Sequence, residues 1–360
     1  MKILFVVHSL GSGGASKQLV MTANAMFERG HEVSVYTYRF QEPPFFPLNA
    51  GIRLMQEPHI PRNAKVEYLI TPCKIRRMIR RINADVVVGW RTNAGYLVTL
   101  ACLGLKAKSM FSERSDPYSE DSVILHVAKK ICNRADGGVF QTNEARNYYS
   151  GLAPRAAVIA NPYSTEGPLP DIIPYAEREK LIVCVGRLVL IQKRQDIAIK
   201  AFRLFHATHP DYKFIFYGDG KDEDKIRHMV EVEGLSDAVE MRCAVRGVVE
   251  KISSAKAMIF SSDYEGIPNV ILDAFTAGVP VVSTDCSPGG VRVLITEGKE
   301  GFIVPRRDPD ALAARLAEIT DNPRLAESFI RNGREKIGLF QPEAIFNEWD
   351  AYLRRLTGLK

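Results

Sequence analysis

Two acids and two cations in this 360-residue chain stand where side chains can do chemistry. Glu265 lies in a Gly/Pro turn within YEGIPNVILDAF (264–275), and Asp273 follows inside an apolar run. Gly266 and Pro268 break the chain after the strand-like AMIFSS. Pro268 suits the first turn of a helix, where its missing N–H costs nothing. Glu265 then precedes a helix N-terminus. There the N–H groups of Asn269 and Val270, with the helix dipole, make an anion site worth about 0.3–2 kcal/mol. A bound phosphate would repel Glu265, so its carboxylate is expected to turn to hydroxyl groups. Asp273, just over one helical turn in, can reach the same ligand from the helix flank. A competing reading stays open at this point: Glu265 as a capping acid and Asp273 as a solvated helix residue.

The cations are in VGRLVLIQKRQDI. Arg187 follows an apolar strand directly, and Lys193 precedes a helix. Two cations at the carboxyl end of a strand can hold a diphosphate, each charge-assisted hydrogen bond being worth about 1.5–3 kcal/mol. Near the N-terminus, SLGSGGASKQLV puts Gly11, Gly13 and Gly14 between a first strand and a first helix, where backbone can approach a phosphate or sugar closely. Ser16 occupies the last glycine position of a dinucleotide fingerprint, and no acid ends the second strand, EVSVYTYRF. Both departures disfavour a nicotinamide-binding domain.

Two further stretches and the histidines are ambiguous or bland. CKIRRMIRRINADV is a basic amphipathic helix, with Lys74, Arg76, Arg77, Arg80 and Arg81 between Ile75, Met78, Ile79 and Ile82. An anionic bilayer and simple packing on a sheet both account for it. GDGKDED reads as a turn with acids at a helix start rather than a metal site. The histidines show no metal-ligand spacing.

The elements that must position these groups follow from periodicity. KILFVV, EVSVYTY, ADVVVGW, KSMFSE and GGVFQT read as strands, with helical patterns between them, as in βαβ units with a parallel sheet. Residues 161–179 carry four prolines and no clean period, the pattern of a linker. The alternation restarts with KLIVCVGRL, KFIFYGDG, AKAMIFSSD and VPVVSTD. The fold expected is α/β: two doubly wound Rossmann-like domains facing a central cleft. Its parts are residues 1–162, a linker 163–179, residues 180–341, and a C-terminal helix, 342–360, packing back on the first domain.

Composition, 46% apolar and 25% charged, is that of a soluble globular protein. No apolar run reaches the roughly 18 residues of a membrane span, and the opening MKILFVVHSL reads as a buried strand rather than a signal peptide. Six scattered cysteines form no CxxC pair, which fits reduced thiols in a cytoplasmic protein. The net charge of +6 divides into +9 over residues 1–160 and −3 beyond, so the halves are expected to meet different partners.

Taken together, GSGGASKQLV, FSERSDPYSE, ADGGVFQTNEA, VGRLVLIQKRQDIAIKAF, YGDGKDED, SSDYEGIPNVILDAFTAGVPVVSTDCSPGG and EGFIVP resemble the retaining glycosyltransferases of family 4, with the GT-B fold. The resemblance covers essentially the whole chain. It looks closest to bacterial enzymes of capsule, exopolysaccharide and lipid-linked oligosaccharide assembly, including N-acetylgalactosamine transferases acting on undecaprenyl-diphosphate carriers.

That resemblance implies roles residue by residue. Glu265 would contact the donor sugar near its reacting face, within a donor-binding run of Gly266, Ile267, Pro268, Asn269 and Val270. The amides of Asn269 and Val270 would hold the diphosphate, and Asp273 the ribose. Arg187 and Lys193 would neutralise the leaving diphosphate. Gly13 and Gly14 would border donor and acceptor, and Arg114 and Ser16 would meet the sugar or acceptor. No metal and no cofactor is implied. Three departures stand out. Asp273 replaces a glutamate, Arg114 stands in or beside the place of a histidine, and Cys243 replaces a glycine before the base-binding segment.

The expected activity is metal-independent, retaining transfer of a hexose or N-acetylhexosamine from a UDP-sugar to a glycan hydroxyl, in the cytoplasm and at the inner face of the membrane. A GDP-sugar (mannosyl-type) transferase, a nucleotide-sugar 2-epimerase and a non-catalytic nucleotide-sugar-binding protein are the alternatives. No nucleic-acid partner is expected.

Overall fold

The computed structural model describes residues 1–39, 44–57, 64–119, 123–163 and 169–359, with the backbone alone at 64–68 and 123. The chain divides into two units, Met1–Asn161 with Glu343–Lys360, and Pro162–Pro342. Residues 163–179, where a linker was expected, belong to the second unit as far as they are described; residues 164–168 lie outside the described residues. The proline-rich stretch is held there by Arg334, which donates to the Pro170 carbonyl at 2.9 Å, and by Tyr175, buried in that unit's core.

The first unit is a seven-stranded sheet in the order β3-β2-β1-β4-β5-β6-β7, all parallel. Its strands are β1 (Lys2–Val7), β2 (Glu32–Thr37), β3 (Arg53–Gln56), β4 (Val86–Trp90), β5 (Lys108–Ser112), β6 (Gly137–Phe140) and β7 (Ala156–Val158). The opening apolar run is thus β1, at the sheet centre with Ile3 to Val6 fully buried. Near-continuous apolar strands are what a parallel sheet covered on both faces requires. The edge strands β3 and β7 are short and half-buried, and neither shows a β pattern in the sequence.

The second unit is a six-stranded parallel sheet, β10-β9-β8-β11-β12-β13. It comprises β8 (Glu179–Val185), β9 (Lys213–Tyr217), β10 (Val239–Arg242), β11 (Ala255–Phe260), β12 (Val281–Thr284) and β13 (Gly301–Val304). Both sheets reverse strand order at a switch point, β1/β4 and β8/β11, where doubly wound folds bind ligands.

Helix Pro342–Thr357 packs within the first unit. Trp349 stacks on Trp90 at 5.8 Å, His31 Nε2 lies 2.6 Å from Asp350 Oδ1, and Tyr352 Oη accepts from the Gly138 N–H at 2.7 Å. All six cysteines are free, with Cys73 and Cys243 exposed. No described helix is long and apolar enough to cross a membrane.

Candidate functional site

The second unit gathers the principal site residues at the carboxyl ends of β8 and β11. After β8 the chain turns at Gly186 and passes Arg187, then makes one short helical turn, Leu190–Lys193. Arg194, at a left-handed φ of 50°, ends that turn and starts helix Gln195–His206. After β11, Asp263, Tyr264 and Glu265 lead into helix Asn269–Ala277. Pro268 is the N-cap rather than the first helical residue, and no side chain caps this end. Gly278 closes the helix at φ 69°.

Lys193 Nζ lies 2.5 Å from Glu265 Oε1. The same carboxylate oxygen accepts from Gln192 Nε2 at 3.1 Å and from Ser262 Oγ at 3.5 Å. Arg187 in turn donates to Gln192 Oε1 at 3.0 Å. Arg187, Gln192, Lys193 and Glu265 thus form one connected group. Lys193 and Glu265 are each about one-seventh exposed, so water screens the pair only partly. Glu265 is therefore not a cap of the helix it precedes: its side chain is spent on Lys193 and Gln192.

Backbone close approach fixes this geometry. A Cβ on Gly218 would fall 1.9 Å from the Gly186 carbonyl oxygen, one on Gly220 2.2 Å from that of Leu188, and one on Gly290 1.7 Å from that of Gly266. GDGKDED is thus the buttress of the Arg187–Lys193 turn. Asp222 Oδ2 accepts from the Leu190 N–H at 3.1 Å, and its other oxygen pairs with Lys225.

Sequence reasoning missed the brace beneath the group. Asp263, almost fully buried, accepts from Arg307 Nε at 3.0 Å and Nη2 at 2.7 Å, and from Arg194 Nη1 at 3.4 Å. Its N–H donates to the Gln192 carbonyl at 2.9 Å, and Ser261 Oγ donates to that of Lys193 at 2.8 Å. The hydrogen bond with Asp263 pulls the Arg307 guanidinium up, and for Arg194 the larger cause is Asp196. Arg194 and Arg307 both take positive φ, a strain that surrounding contacts must hold. The visible signal was an acid two residues before Glu265.

Asp273 is 5% exposed, so it is not a solvated helix residue. Asn269 and Val270 are half-buried at the open helix end, where the dipole favours an anion. Gly266, Ile267 and Pro268 are buried beneath them.

In the first unit, Gly13 is the N-cap of helix Gly14–Glu28, and a Cβ added there would meet nothing within 4 Å. The packing does not demand glycine at this position, which leaves room for a ligand against the backbone. Ser16 turns its hydroxyl to the Ser9 carbonyl at 3.5 Å.

Arg114, expected to meet the sugar or acceptor, lies buried in the first unit. Its guanidinium is buried, 4.5 Å over Trp90 and 5.1 Å over Trp349, with Nη1 donating to Asn161 Oδ1 at 3.1 Å. Burial lowers it to about 9, and the neighbouring Glu113 pulls the other way. The two aromatic faces offset only part of the lost water, since Nε and Nη2 stay buried without a hydrogen bond among the described residues, and they let Arg114 tie helix Pro342–Thr357 to β4 and β5.

The basic helix is Ala64–Ile82. Ile75, Ile79 and Ile82 are buried against the sheet. Lys74 pairs with Glu57, and Arg76 donates to the Ala101 and Leu103 carbonyls at 2.9 and 2.6 Å. Arg77, Arg80 and Arg81 are exposed.

Residues 12–166 match the family described as Glycosyltransferase Family 4, and residues 169–336 that described as Glycosyl transferases group 1. The chain is 24% identical to an alpha-1,4-N-acetyl-D-galactosaminyltransferase of Campylobacter jejuni, covering 97% of each chain; the named substrate of that enzyme is a GalNAc- and diNAcBac-bearing PP-undecaprenol. Among solved structures it resembles a sucrose-phosphate synthase from Thermosynechococcus elongatus, with TM-score 0.83, 17% identity and 99% of each chain covered. It also resembles Anabaena HepE in complex with UDP and glucose, with TM-score 0.79, 16% identity, and 99% of this chain and 100% of that one covered. These likenesses establish two parallel-sheet Rossmann-like units of the GT-B kind.

Proposed function

Because this chain belongs to the glycosyltransferases, joining a family 4 domain to a group 1 domain, we propose that it moves a hexose or an N-acetylhexosamine from a UDP-sugar to a glycan hydroxyl in the assembly of a bacterial surface polysaccharide. The observation that carries this reading is the group of Lys193, Gln192, Arg187 and Glu265 beside the uncapped start of helix Asn269–Ala277. It offers cations and a helix end to a diphosphate, and a carboxylate to the hydroxyls of the sugar attached to it. The likeness to a UDP-bound structure supports UDP, and the likeness to a transferase named for PP-undecaprenol supports a lipid-linked glycan acceptor.

In this reading the acceptor hydroxyl attacks the anomeric carbon from the face that the diphosphate leaves. The C–O bond to the β-phosphate breaks as the new glycosidic bond forms, and the hydroxyl proton passes to the departing phosphate oxygen. Configuration is retained. Lys193 and Arg187 take up the charge that builds on the diphosphate, the work a divalent metal does elsewhere. The Asn269 and Val270 amides add the helix-end contribution, and Asp273 holds the ribose from the helix flank.

Arg77, Arg80 and Arg81, exposed on one helix, are cations suited to an anionic bilayer carrying a lipid-linked acceptor, at about 1 kcal/mol each. The enzyme would then work in the cytoplasm, at the inner face of the membrane.

Hydrolysis of a panel of UDP- and GDP-sugars, with and without EDTA, tests the proposal. Turnover of a UDP-sugar that survives EDTA, with the product anomer matching the donor, supports it. Turnover confined to GDP-sugars, or an inverted product, overturns the donor or the stereochemical assignment.

A further inference from the structure

The amino ends of β5, β6 and β7 carry a pocket that the transfer chemistry does not use. These strands are parallel, so this rim is the opposite edge of the sheet from the carboxyl ends where doubly wound folds bind substrates. The cavity measures about 450 Å³. Lys108 opens β5, Asp136 directly precedes β6 and Arg155 directly precedes β7. Arg134 lies in the turn that leads to Asp136, and helix Pro342–Thr357 adds Arg355.

Close packing sets the walls. A Cβ on Gly137 would fall 2.5 Å from Tyr352 Oη and 2.9 Å from Leu356 Cδ1, so glycine at the start of β6 lets the C-terminal helix lie on the sheet here. Tyr352 Oη donates to the Arg155 carbonyl at 2.7 Å. The Arg155 guanidinium is fixed in turn. Its Nε and Nη2 donate to the carbonyls of Asn133, Ala135 and Gly151 at 3.0 to 3.4 Å, and its Nη1 has no hydrogen bond among the described residues.

The charges of this lining do not balance. Four cations, Lys108, Arg134, Arg155 and Arg355, stand against one acid, Asp136. That acid is largely engaged. One carboxylate oxygen accepts from the Ser109 N–H and hydroxyl at 2.8 Å each, and the other lies 3.6 Å from Lys108 Nζ. Among the described residues, the Arg134 and Arg355 guanidiniums have no hydrogen bond and no ion pair. Arg355 rests 5.2 Å over the Tyr352 ring. Like charges gathered on a concave wall concentrate a counter-ion there. A neutral ligand leaves that surplus untouched. A phosphate group takes bidentate hydrogen bonds from a guanidinium, and two linked phosphates carry the charge that three spare cations call for.

We propose that this pocket binds a diphosphate group, with Arg134 and Arg355 donating to its oxygens and Lys108 neutralising it at the rim. The site belongs to the first unit, whereas Arg187 and Lys193 belong to the second. It does not rest on the glycosyltransferase reading.

The test is calorimetric titration of the full chain with inorganic pyrophosphate at about 0.15 M salt, where attraction between exposed charges is screened beyond about 8 Å. Arg187→Ala with Lys193→Ala silences the donor-site cations, and this variant is expected still to bind pyrophosphate. Adding Arg134→Gln and Arg355→Gln is expected to weaken that binding about tenfold or more. Tm is expected to stay the same, because neither guanidinium is bonded within the fold. In the otherwise wild-type chain, the Arg134→Gln and Arg355→Gln pair is expected to weaken pyrophosphate binding at one site while donor hydrolysis stays at the wild-type rate. Flotation with phosphatidylglycerol vesicles identifies the source of the phosphate. Equal flotation of wild type and the pair assigns the pocket to a soluble diphosphate, and a parallel loss assigns it to a lipid headgroup. No pyrophosphate bound once the donor-site cations are removed, or equal affinity with and without Arg134 and Arg355, overturns the site.

Discussion

Lys193 and Glu265 meet at 2.5 Å although they follow different strands of the second unit, β8 and β11, which are neighbours across the switch point of the sheet. The cation proposed for a diphosphate and the acid proposed for the sugar therefore form one hydrogen-bonded assembly. Gln192 joins them to Arg187, and Asp263 holds the backbone beneath.

Replacing Glu265 tests whether this acid acts on the sugar or merely holds Lys193. Glu265→Ala is expected to cut donor turnover roughly 10- to 150-fold, the worth of one charge-assisted hydrogen bond of about 1.5–3 kcal/mol. UDP affinity by calorimetry is expected to stay within about threefold. Turnover equal to wild type would sink the catalytic assignment.

Asp263→Asn keeps the shape and removes the charge that Arg194 and Arg307 share. A loss of about 1.5–3 kcal/mol is expected, seen as a fall in Tm of about 3–10 °C. Because Asp263 also fixes the Lys193 segment, kcat is expected to fall more than the KM for donor rises. An unchanged Tm would show that the brace contributes nothing.

At Asp273 the shorter acid has a packing explanation. The residue is 5% exposed, so Asp273→Glu forces a methylene into a filled space at a cost of about 1–3 kcal/mol. Thermal melting is expected to show that loss, while donor affinity changes by less than about 1.4 kcal/mol, a tenfold factor. A stability equal to wild type with a hundredfold weaker donor would mean that ribose geometry, not space, dictates aspartate.

Stability of the first unit should depend on His31 and Asp350. Burial lowers His31 below its usual 6.5 despite the carboxylate beside it. Burial would raise Asp350, but hydrogen bonds from Arg354 and His31 hold it below its usual 3.8. Unfolding therefore takes up protons at both residues. Stability is full above about pH 7, declines as pH falls through 6.5, and declines again below the carboxylate range. Denaturant melts of wild type and His31→Gln from pH 8 to 5 should converge at the acid end; parallel curves would contradict this.

The exposed cations Arg77, Arg80 and Arg81 separate membrane binding from folding. Changing all three to Gln is expected to lower co-sedimentation with phosphatidylserine vesicles about tenfold or more without moving Tm. Arg76→Gln is expected to do the reverse, since that side chain donates to two carbonyls at the end of helix Thr92–Cys102. Unchanged sedimentation of the triple variant would remove the membrane from the proposal.

The sequence by itself determined the two parallel α/β units, because buried parallel strands must be continuous apolar runs and their helices carry a 3.6-residue period. Strand β1, helix Asn269–Ala277 and the pairing of Arg187 with Lys193 near a strand end were legible for that reason. So was a C-terminal helix, Pro342–Thr357, packed on the first unit. Strands β3, β7, β10 and β13 were not: β3, β7 and β10 are short, half-buried edge strands with no continuous apolar run, and the four residues of β13 stand alone between turns. The tertiary structure alone decided which side chains meet. It turned Arg114 inward between two tryptophans, buried Asp273, and set Asp263 under the Lys193–Glu265 pair. Those outcomes depend on residues brought together across the sheet from distant parts of the chain, and a one-dimensional pattern carries local period but not long-range contact.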